Sequence, residues 1–417
     1  MKMLFNFIIT VESTSKMRRN IGVLVVAGAL AGFVGCGDDG GDTSGTGAAG
    51  GGGAKVTDAE IQAVVANYAT NVHASYAKSL TEVQALRASV DAMVLNPSNT
   101  TQGAAKDAWN AARPTYLQTE VYRFYGGPID DEETGPEGLV NAWPLDEFYI
   151  DYVEGMATAG IINDPAGHPT ISKETIAEAN EAEGEKAISS GFHAIEFLLW
   201  GQDQSTTGPG ARPFTDYVVG GGGTAANQDR RGLYIRETSA LLEDNLTELV
   251  DAWKPGAENY AKTFNALPPR EALGNIMTGM ASLAGAELST ERMNNAYEEQ
   301  DQEEEHSCFS DTTHVDHLND MIGVENVYLG KFGSNDGPGV DELVAKVDPA
   351  LDAEIKTKIA AAKAAIQAIP IPFDQAIVDA APGGGREKIK AAIDALYSLS
   401  DSFVLAATAL DVTLKLE

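Results

Sequence analysis

A long run of apolar residues spaced three or four positions apart constrains the fold more than any other feature of the chain. Its members are Ile61, Val64, Tyr68, Val72, Tyr76, Leu80, Val83, Leu86, Val90 and Met93. This spacing places the side chains on one face of a helix. Thr57 and Glu60 have the spacing of a capping box, and Asn96-Pro97 is a helix stop. The sequence therefore predicts a long amphipathic helix between these signals.

Helical spacing recurs through the rest of the chain, and few stretches alternate apolar with polar residues as strands do. Residues 204–228 are rich in Gly, Thr and Pro, which predicts a connecting loop. We therefore predict an all-α fold of two helical bundles, residues 57–203 and 229–417. Sequence echoes such as 185–188 and 387–390 lead to the hypothesis that the two halves arose by internal duplication.

The N-terminal segment has the pattern of a targeting signal. Basic residues precede the apolar run 21–34, whose length fits a signal peptide better than a membrane span. Small residues then lead to Cys36, as in the lipobox of bacterial lipoproteins. We predict a signal peptide over 1–35, with 1–16 as an upstream extension, and a lipidated cysteine with a Gly-rich linker over 36–56. The alternative is an ordinary cleaved signal or an anchor helix.

The net charge of the chain limits the kinds of molecule that it can bind. Asp and Glu number 61 against 29 Lys and Arg, a formal net charge of -32. Such a surface repels nucleic acid and raises the local concentration of cations, so DNA or RNA binding is not expected. Cys36 and Cys308 are the two cysteines. If Cys36 carries lipid, the fold does not depend on a disulfide.

Residues 191–203 contain a histidine and a glutamate on an otherwise apolar segment, and these two polar residues need an explanation. Read as a helix together with the residues just before it, this stretch has an apolar face formed by Ile188, Phe192, Ile195 and Leu199. His193 and Glu196 lie on the adjacent face, one turn apart. A buried carboxylate is costly unless a charge or a metal compensates it. Imidazole with carboxylate suits iron or zinc, and the ligand type alone does not choose between them.

A bundle metal site is usually completed by a carboxylate from a facing helix. Glu120 is the first candidate, because it lies on one stripe with Arg113 in a helix that is otherwise strongly apolar. Asp146 is the second candidate. The alternative is that His193 and Glu196 hydrogen-bond only to each other and to Arg113, as a polar network in the core.

A second cluster of chemically active side chains occupies residues 302–314. It includes Glu305, His306 and Asp311, which we take as an additional metal site or as residues that support the first. The spacing matches no paired zinc pattern. The alternative is a solvated acidic helix end followed by a turn.

The His and Glu pair also leads to the hypothesis of a metal-dependent peptidase. The zincin motif needs two histidines on one helical turn together with a glutamate. In this chain Phe197 stands where the inverted form of that motif would require its second histidine after Glu196. The pattern therefore favours metal binding over metal-dependent proteolysis.

Residues 191–203 resemble the G-x-H-x-x-E signature of the imelysin family, and most closely its iron-regulated lipoprotein branch. Further likeness is found at residues 112–113, 120, 123–130, 143–146 and 302–311. The resemblance extends over residues 57–417. It implies two helical bundles related by duplication, a periplasmic or surface location and a role in iron uptake. Carried over by position, His193 and Glu196 are metal ligands with Glu120 nearby.

We therefore expect a lipid-anchored protein of the bacterial cell envelope, in the periplasm or at the outer-membrane surface. It would bind iron or a small iron complex and pass it to envelope iron-transport proteins. One alternative is a zinc-dependent envelope peptidase that uses the same His and Glu pair. Another is a structural His and Glu pair in a protein whose acidic surface recognises a partner protein.

Overall fold

The computed structural model describes residues 55–205 and 207–416. The predicted signal peptide, the lipidation site at Cys36 and the linker up to residue 54 lie outside the described residues. Within them the chain is helical, apart from short connections and a small antiparallel hairpin in which Lys331–Phe332 pairs with Asn335–Asp336. The all-α prediction is confirmed. None of the helices in the described ranges is long and apolar enough to cross a membrane.

Helix α1 spans Asp58–Leu95 and follows the predicted apolar stripe. The predicted capping box is present, because the backbone N–H of Thr57 donates to Glu60 Oε2 at 2.8 Å and that of Glu60 donates to Thr57 Oγ1 at 3.3 Å. The helix ends at its C-cap, Asn96. Local signals therefore determine both ends of this element.

A first group of helices packs around α1. Its members are α2 (Asn99–Leu117), α6 (Gly191–Trp200) and α7 (Gln228–Trp253), with the short helices α3 (Glu137–Val140), α4 (Glu147–Ile150) and α5 (Lys173–Ala179) between them. Helix α1 packs against α2 and α7, and α6 packs against both of those. Pro114 lies in the last turn of α2, and a 3-10 turn at Glu120–Tyr122 follows. Helix α2 therefore ends at Leu117, soon after the proline.

A second group contains the remaining long helices. They are α9 (Pro269–Ser282), which continues through wide helical turns at Leu283–Asn294, α11 (Thr313–Tyr328), α13 (Pro349–Gln367) and α15 (Gly385–Ala409). The short members are α10 (Asn295–Glu299), α12 (Val340–Val347) and α14 (Phe373–Ile377), whereas α8 (Tyr260–Asn265) packs on α1 and α7 of the first group. Helix α15 packs on α13 and on the wide turns, and α11 packs on α13.

The packing of α7 differs from the predicted domain division. The sequence analysis placed residues 229–417 in the second bundle, but α7 packs on α1, α5 and α6 of the first group. The reason is that its apolar side chains, such as Tyr234 and Leu242, are fully buried there. The internal duplication stays a prediction. Helix α11 also contacts α2, and this contact joins the two groups at the candidate site.

Candidate functional site

Helix α6 is held in place at its first residue. Gly191 has φ +83°, and a Cβ atom at this position would lie 2.5 Å from the carbonyl oxygen of Val140. The indole Nε1 of Trp109 donates to the carbonyl oxygen of Phe192 at 3.0 Å. Every side chain of α6 is buried. Only glycine combines the left-handed backbone with this close approach, so the start of the helix and the direction of His193 are set together.

His193 and Glu196 form a hydrogen-bonded pair, as their spacing predicted. His193 Nδ1 lies 3.1 Å from Glu196 Oε2, and both side chains are completely buried. The other carboxylate oxygen, Oε1, accepts from the backbone N–H of Ser310 at 2.9 Å and from its hydroxyl at 2.6 Å. Glu196 therefore connects α6 to the segment that precedes α11.

A second imidazole–carboxylate pair faces the first. His306 Nδ1 lies 2.8 Å from Asp316 Oδ2, which also accepts from the hydroxyl of Ser307 at 2.6 Å. The rings of His193 and His306 meet edge to face, with centroids 4.7 Å apart. In each pair the imidazole has Nδ1 within hydrogen-bonding distance of an acidic side chain.

Arg113 lies between the two pairs. Its Nη2 is 2.9 Å from Asp316 Oδ2, 3.3 Å from His193 Nε2 and 3.3 Å from His306 Nδ1. Its Nη1 donates to the side-chain oxygen of Asn141. The guanidinium is buried and forms an ion pair with Asp316. The contacts of His193 with Glu196 and Arg113 are those of the polar-network alternative, extended by His306 and Asp316.

Burial sets the protonation of the site. It lowers the pKa of His193 well below its usual value, and the charge of Arg113 lowers it further. Burial together with the charges of Arg292 and Arg113 does the same to the pKa of His306. Both imidazoles are therefore uncharged at neutral pH. Burial also raises the pKa of Glu196 to about 8, against the hydrogen bonds from Ser310 that lower it.

A cleft of about 260 Å³ leads from the surface to His306. Its lining includes six glutamates, which are Glu137, Glu181, Glu185, Glu287, Glu291 and Glu304. Arg123, Arg292 and Trp143 also border it. Because Nδ1 of His306 is occupied by Asp316, Nε2 is the ring nitrogen that this imidazole offers to a ligand in the cleft.

In the structure, the carboxylate of Glu120 has partners other than the predicted His193 and Glu196. Its Oε2 lies 2.5 Å from Arg292 Nη2 and 2.7 Å from Arg123 Nη1, and the side chain is buried. Burial raises its pKa, but the two arginines outweigh that effect and hold the pKa below its ordinary value. The two guanidinium groups compensate the charge of Glu120, so Glu120 belongs to an ion-pair network beside the site.

Asp146 lies at the start of a helix rather than at the candidate site. It is half-buried and is the N-cap of helix α4, and its backbone N–H donates to the carbonyl oxygen of Lys186 at 2.9 Å. No contact of Asp146 with His193 or Glu196 is found within the described residues.

The segment that contains the second cluster is buried rather than solvated. Glu305, His306, Ser307 and Cys308 are all at most 3% exposed, and Cys308 is a free thiol. His306 joins the site described above. Glu305 and Asp311 turn away from it, because Glu305 accepts from Thr313 Oγ1 at 3.1 Å and Asp311 interacts with Asp203.

Phe197 packs in the core where a peptidase would need an imidazole. Its ring centroid lies 5.3 Å from that of Phe309, and the guanidinium of Arg212 lies 5.1 Å above it. Within residues 55–205 and 207–416, no three His, Cys, Asp or Glu side chains are arranged to hold a metal ion as they stand. At the candidate site, Arg113 Nη2 occupies the point between His193 Nε2, His306 Nδ1 and Asp316 Oδ2.

The family model for imelysin, a peptidase family by name, matches residues 72–403. The chain belongs to the imelysin family. A similar protein is iron-regulated protein A of Synechococcus elongatus, which is 26% identical over 361 residues, 84% of this chain and 85% of that protein. The matched region includes the segment from Gly191 through His193 to Glu196, on which the described site is built.

Two solved structures share this imelysin fold. One is that of an iron-regulated protein A precursor from Parabacteroides distasonis, with a TM-score of 0.66 and 20% identity over 86% of this chain and 97% of that chain. The other is that of an imelysin-like protein from Psychrobacter arcticum, with a TM-score of 0.61 and 12% identity over 87% of this chain and 98% of that chain. At these identities the likeness concerns the fold.

Several site residues carry no motif of their own in the sequence. Asp316 and Ser310 become partners of His306 and Glu196 only through the fold. Trp143 stands out only as part of the segment that resembles the family, and Asn141 lies outside that segment. The ring of Trp143 packs against that of His193 in a tilted arrangement, with ring centroids 4.8 Å apart. The sequence feature that could have pointed to these residues is the concentration of polar residues at 305–317. Such a concentration is unusual for a segment that is mostly buried.

Proposed function

We propose that this imelysin-family protein acts in the bacterial cell envelope and binds iron, or a small iron complex, at the centre formed by His193 and His306. The observation that carries the proposal is the pairing of two uncharged, buried imidazoles, each of which has Nδ1 within hydrogen-bonding distance of an acidic side chain. Metal-binding histidines usually have this support, because it directs the other nitrogen at the metal.

The glutamate-lined cleft supports a cationic cargo. Carboxylates around a cleft raise the local concentration of cations, and His306 borders this one. Two imidazoles and a carboxylate are a ligand set that suits Fe(II). Arg113 lies between the imidazoles, so iron that contacts both of them requires the guanidinium to move aside. Iron that binds from the cleft meets Nε2 of His306 first.

The cellular part of the proposal rests on the sequence. A lipidated Cys36 would anchor the protein through the linker that precedes residue 57, in the periplasm or at the outer-membrane surface. A similar protein in Synechococcus elongatus is named for its regulation by iron. In this proposal the protein receives iron at the envelope and passes it to iron-transport proteins.

The test is metal stoichiometry on purified protein. Metal-free protein is loaded with Fe(II) or with Zn(II), and bound metal is measured for the wild type and for His193→Ala, Glu196→Ala and His306→Ala. We expect bound iron to be lost in His306→Ala and reduced in the other two. His73→Ala, a change in helix α1, is the matched control and keeps the wild-type stoichiometry. Unchanged iron content in all three site variants would refute the proposal.

Casein hydrolysis is measured on the same samples. The proposal expects no metal-dependent hydrolysis, since Phe197 occupies the place of a second histidine. Hydrolysis that requires zinc and disappears in both His193→Ala and Glu196→Ala would instead support an envelope peptidase.

A further inference from the structure

The cleft that leads to His306 contains hydrogen-bond donors as well as carboxylates. Three of its lining side chains have a buried N–H group that finds no acceptor within the described part of the chain. These groups are Nδ2 of Asn141, Nε1 of Trp143 and Nε of Arg123. Buried N–H groups in folded proteins normally have a partner. The cleft is therefore suited to a ligand that brings acceptor oxygens with it.

The side-chain amide of Asn141 has a fixed orientation. Nη1 of Arg113 donates to it, and a guanidinium can only donate, so the atom that faces Arg113 must be Oδ1. Nδ2 is then the end of the amide that is left without a partner. The same guanidinium contacts His306, with Nη2 3.3 Å from Nδ1 of the imidazole. The free donor of Asn141, which is 3% exposed, is therefore held close to His306.

Trp143 is held beside the same imidazoles. Its ring centroid lies 4.8 Å from that of His193, and the ring of His193 lies 4.7 Å from that of His306. The indole also meets the ring of Phe309 edge to face, with centroids 5.8 Å apart. These ring contacts fix the position of the indole but give Nε1 no acceptor. Trp143 therefore supplies a second free donor near the two histidines.

The carboxylates of the cleft fall into two kinds. Glu137 lies 3.2 Å from Arg123, and Glu287 lies 2.9 Å from Arg292, so their charges are compensated by arginines. Exposed carboxylates, in contrast, attract cations and repel a strongly negative ligand. The cleft therefore favours an oxygen-rich ligand whose negative charge is largely neutralised by a metal. The exposed glutamates of the lining are Glu181, Glu185 and Glu291.

We propose that the cleft binds iron as a one-to-one chelate with a small polycarboxylate, such as ferric citrate. This inference rests on the proposed function and names the form in which the iron arrives. The oxygens of the chelator accept hydrogen bonds from Asn141 and Trp143, and the iron faces Nε2 of His306. The donors thus recognise the chelator, while the imidazole recognises the metal.

Ligand supply and cleft size both favour a small chelate. His306 offers one ring nitrogen to the cleft, because Asp316 and Arg113 contact the other one. Iron in proteins is held by several ligands, and a chelate brings carboxylate oxygens of its own. The cleft volume of about 260 Å³ is slightly below the range of about 300–1,000 Å³ that is usual for drug-sized ligands. A single small chelator therefore suits the cleft better than a large siderophore.

The test is equilibrium dialysis with a doubly labelled chelate. Metal-free protein is dialysed against one-to-one ferric citrate in which the iron and the citrate carry different radioactive labels. We expect the protein to retain both labels in equal amounts and to retain no citrate when iron is left out. Iron retained without citrate would overturn this inference and support the proposed function. Retention of neither label would also overturn it, and the Fe(II) stoichiometry described above then decides the proposed function separately.

Two substitutions each remove one donor and nearly keep the shape of the side chain. Trp143→Phe removes the indole N–H, and Asn141→Asp replaces Nδ2 by an oxygen while an oxygen still faces Arg113. Each should weaken binding of ferric citrate about tenfold or more, because a hydrogen bond to an anionic oxygen is lost. Asn141→Asp should bind Fe(II) without citrate at least as tightly as the wild type, since it adds a carboxylate to the cleft. The Tm of each variant shows whether it is folded.

Asn295→Asp is the matched control for the added charge. Asn295 also lines the cleft, but its Nδ2 already donates to Glu291 Oε2 at 3.0 Å. This variant should weaken binding of ferric citrate by less than about fivefold. Equal losses in Asn141→Asp and Asn295→Asp would assign the effect to charge and overturn the role of the donor. Unchanged binding in both Trp143→Phe and Asn141→Asp would place the chelate elsewhere and refute the assignment.

Discussion

Arg113 Nη2 lies 2.9 Å from Asp316 Oδ2, and this ion pair joins α2 of the first helical group to α11 of the second. Both side chains are at most 1% exposed. The pair therefore contributes to the contact between the groups as well as to the arrangement of His193 and His306 around the guanidinium.

Replacement of Arg113 by Met should destabilise the protein by about 3–5 kcal/mol, because Asp316 then remains buried without its cation. The double variant Arg113→Met with Asp316→Asn should be less destabilised than the sum of the single changes. Chemical denaturation gives both quantities. Arg87→Met is the control, since Arg87 is 42% exposed in its pair with Glu243, and its loss should be below about 1 kcal/mol. Equal losses in the two arginine variants would contradict the prediction.

Gly191→Ala should lower the free energy of unfolding by about 1–3 kcal/mol, because alanine at φ +83° is strained and its Cβ meets the carbonyl oxygen of Val140. Gly103→Ala is the matched control. Gly103 lies inside α2, where a Cβ has no atom within 4 Å, so this change should stabilise by about 0.5–1 kcal/mol. Urea unfolding of both variants measures the contrast. A stabilised Gly191→Ala protein would show that the start of α6 is not constrained as described.

Asp151 should determine part of the acid sensitivity of the fold. Its Oδ2 lies 2.6 Å from Arg212 Nη1 and 2.7 Å from Arg231 Nε. Burial raises its pKa, but the two arginines outweigh this effect and lower the pKa from 3.8 to about 2. The stabilisation from this lowered pKa is therefore present above pH of about 4 and is lost as the pH falls through about 2.

The measurement is the free energy of unfolding at several pH values between about 5 and 2. The wild type should lose about 2 kcal/mol from this group over that range. Asp151→Asn should be less stable at neutral pH and should lack this component of the acid loss. Asp229→Asn should keep the wild-type pH profile. The same acid loss in Asp151→Asn as in the wild type would assign the effect to other carboxylates.

Phe197→His should not create a zinc peptidase. The ring of Phe197 packs against Phe309 and Arg212 in the core, so the variant should lose about 2–4 kcal/mol of stability without an increase in bound zinc. Phe197→Leu should lose less, because it keeps an apolar side chain. Zinc binding and casein hydrolysis gained by the histidine variant would reverse this interpretation.

The sequence predicted the contact between His193 and Glu196 because these two residues share one helix. His193 and Glu196 are three positions apart, and helical geometry alone brings their side chains together. The choice of Glu120 as the third partner depended on which helices face each other. In the structure Glu120 is paired with Arg292, a residue 172 positions away, and no local pattern announces that partner.

The sequence by itself determined the helical class, the two ends of α1 and the buried His193 and Glu196 pair. Each of these follows from interactions between residues a few positions apart, whose geometry is the same in any helix. Only the tertiary structure decided that His306 and Asp316 oppose this pair, that Arg113 lies between them and that α7 packs with the first group. These features depend on which buried charges compensate each other. Two charges compensate each other when they are close in space, even if they are far apart in the sequence.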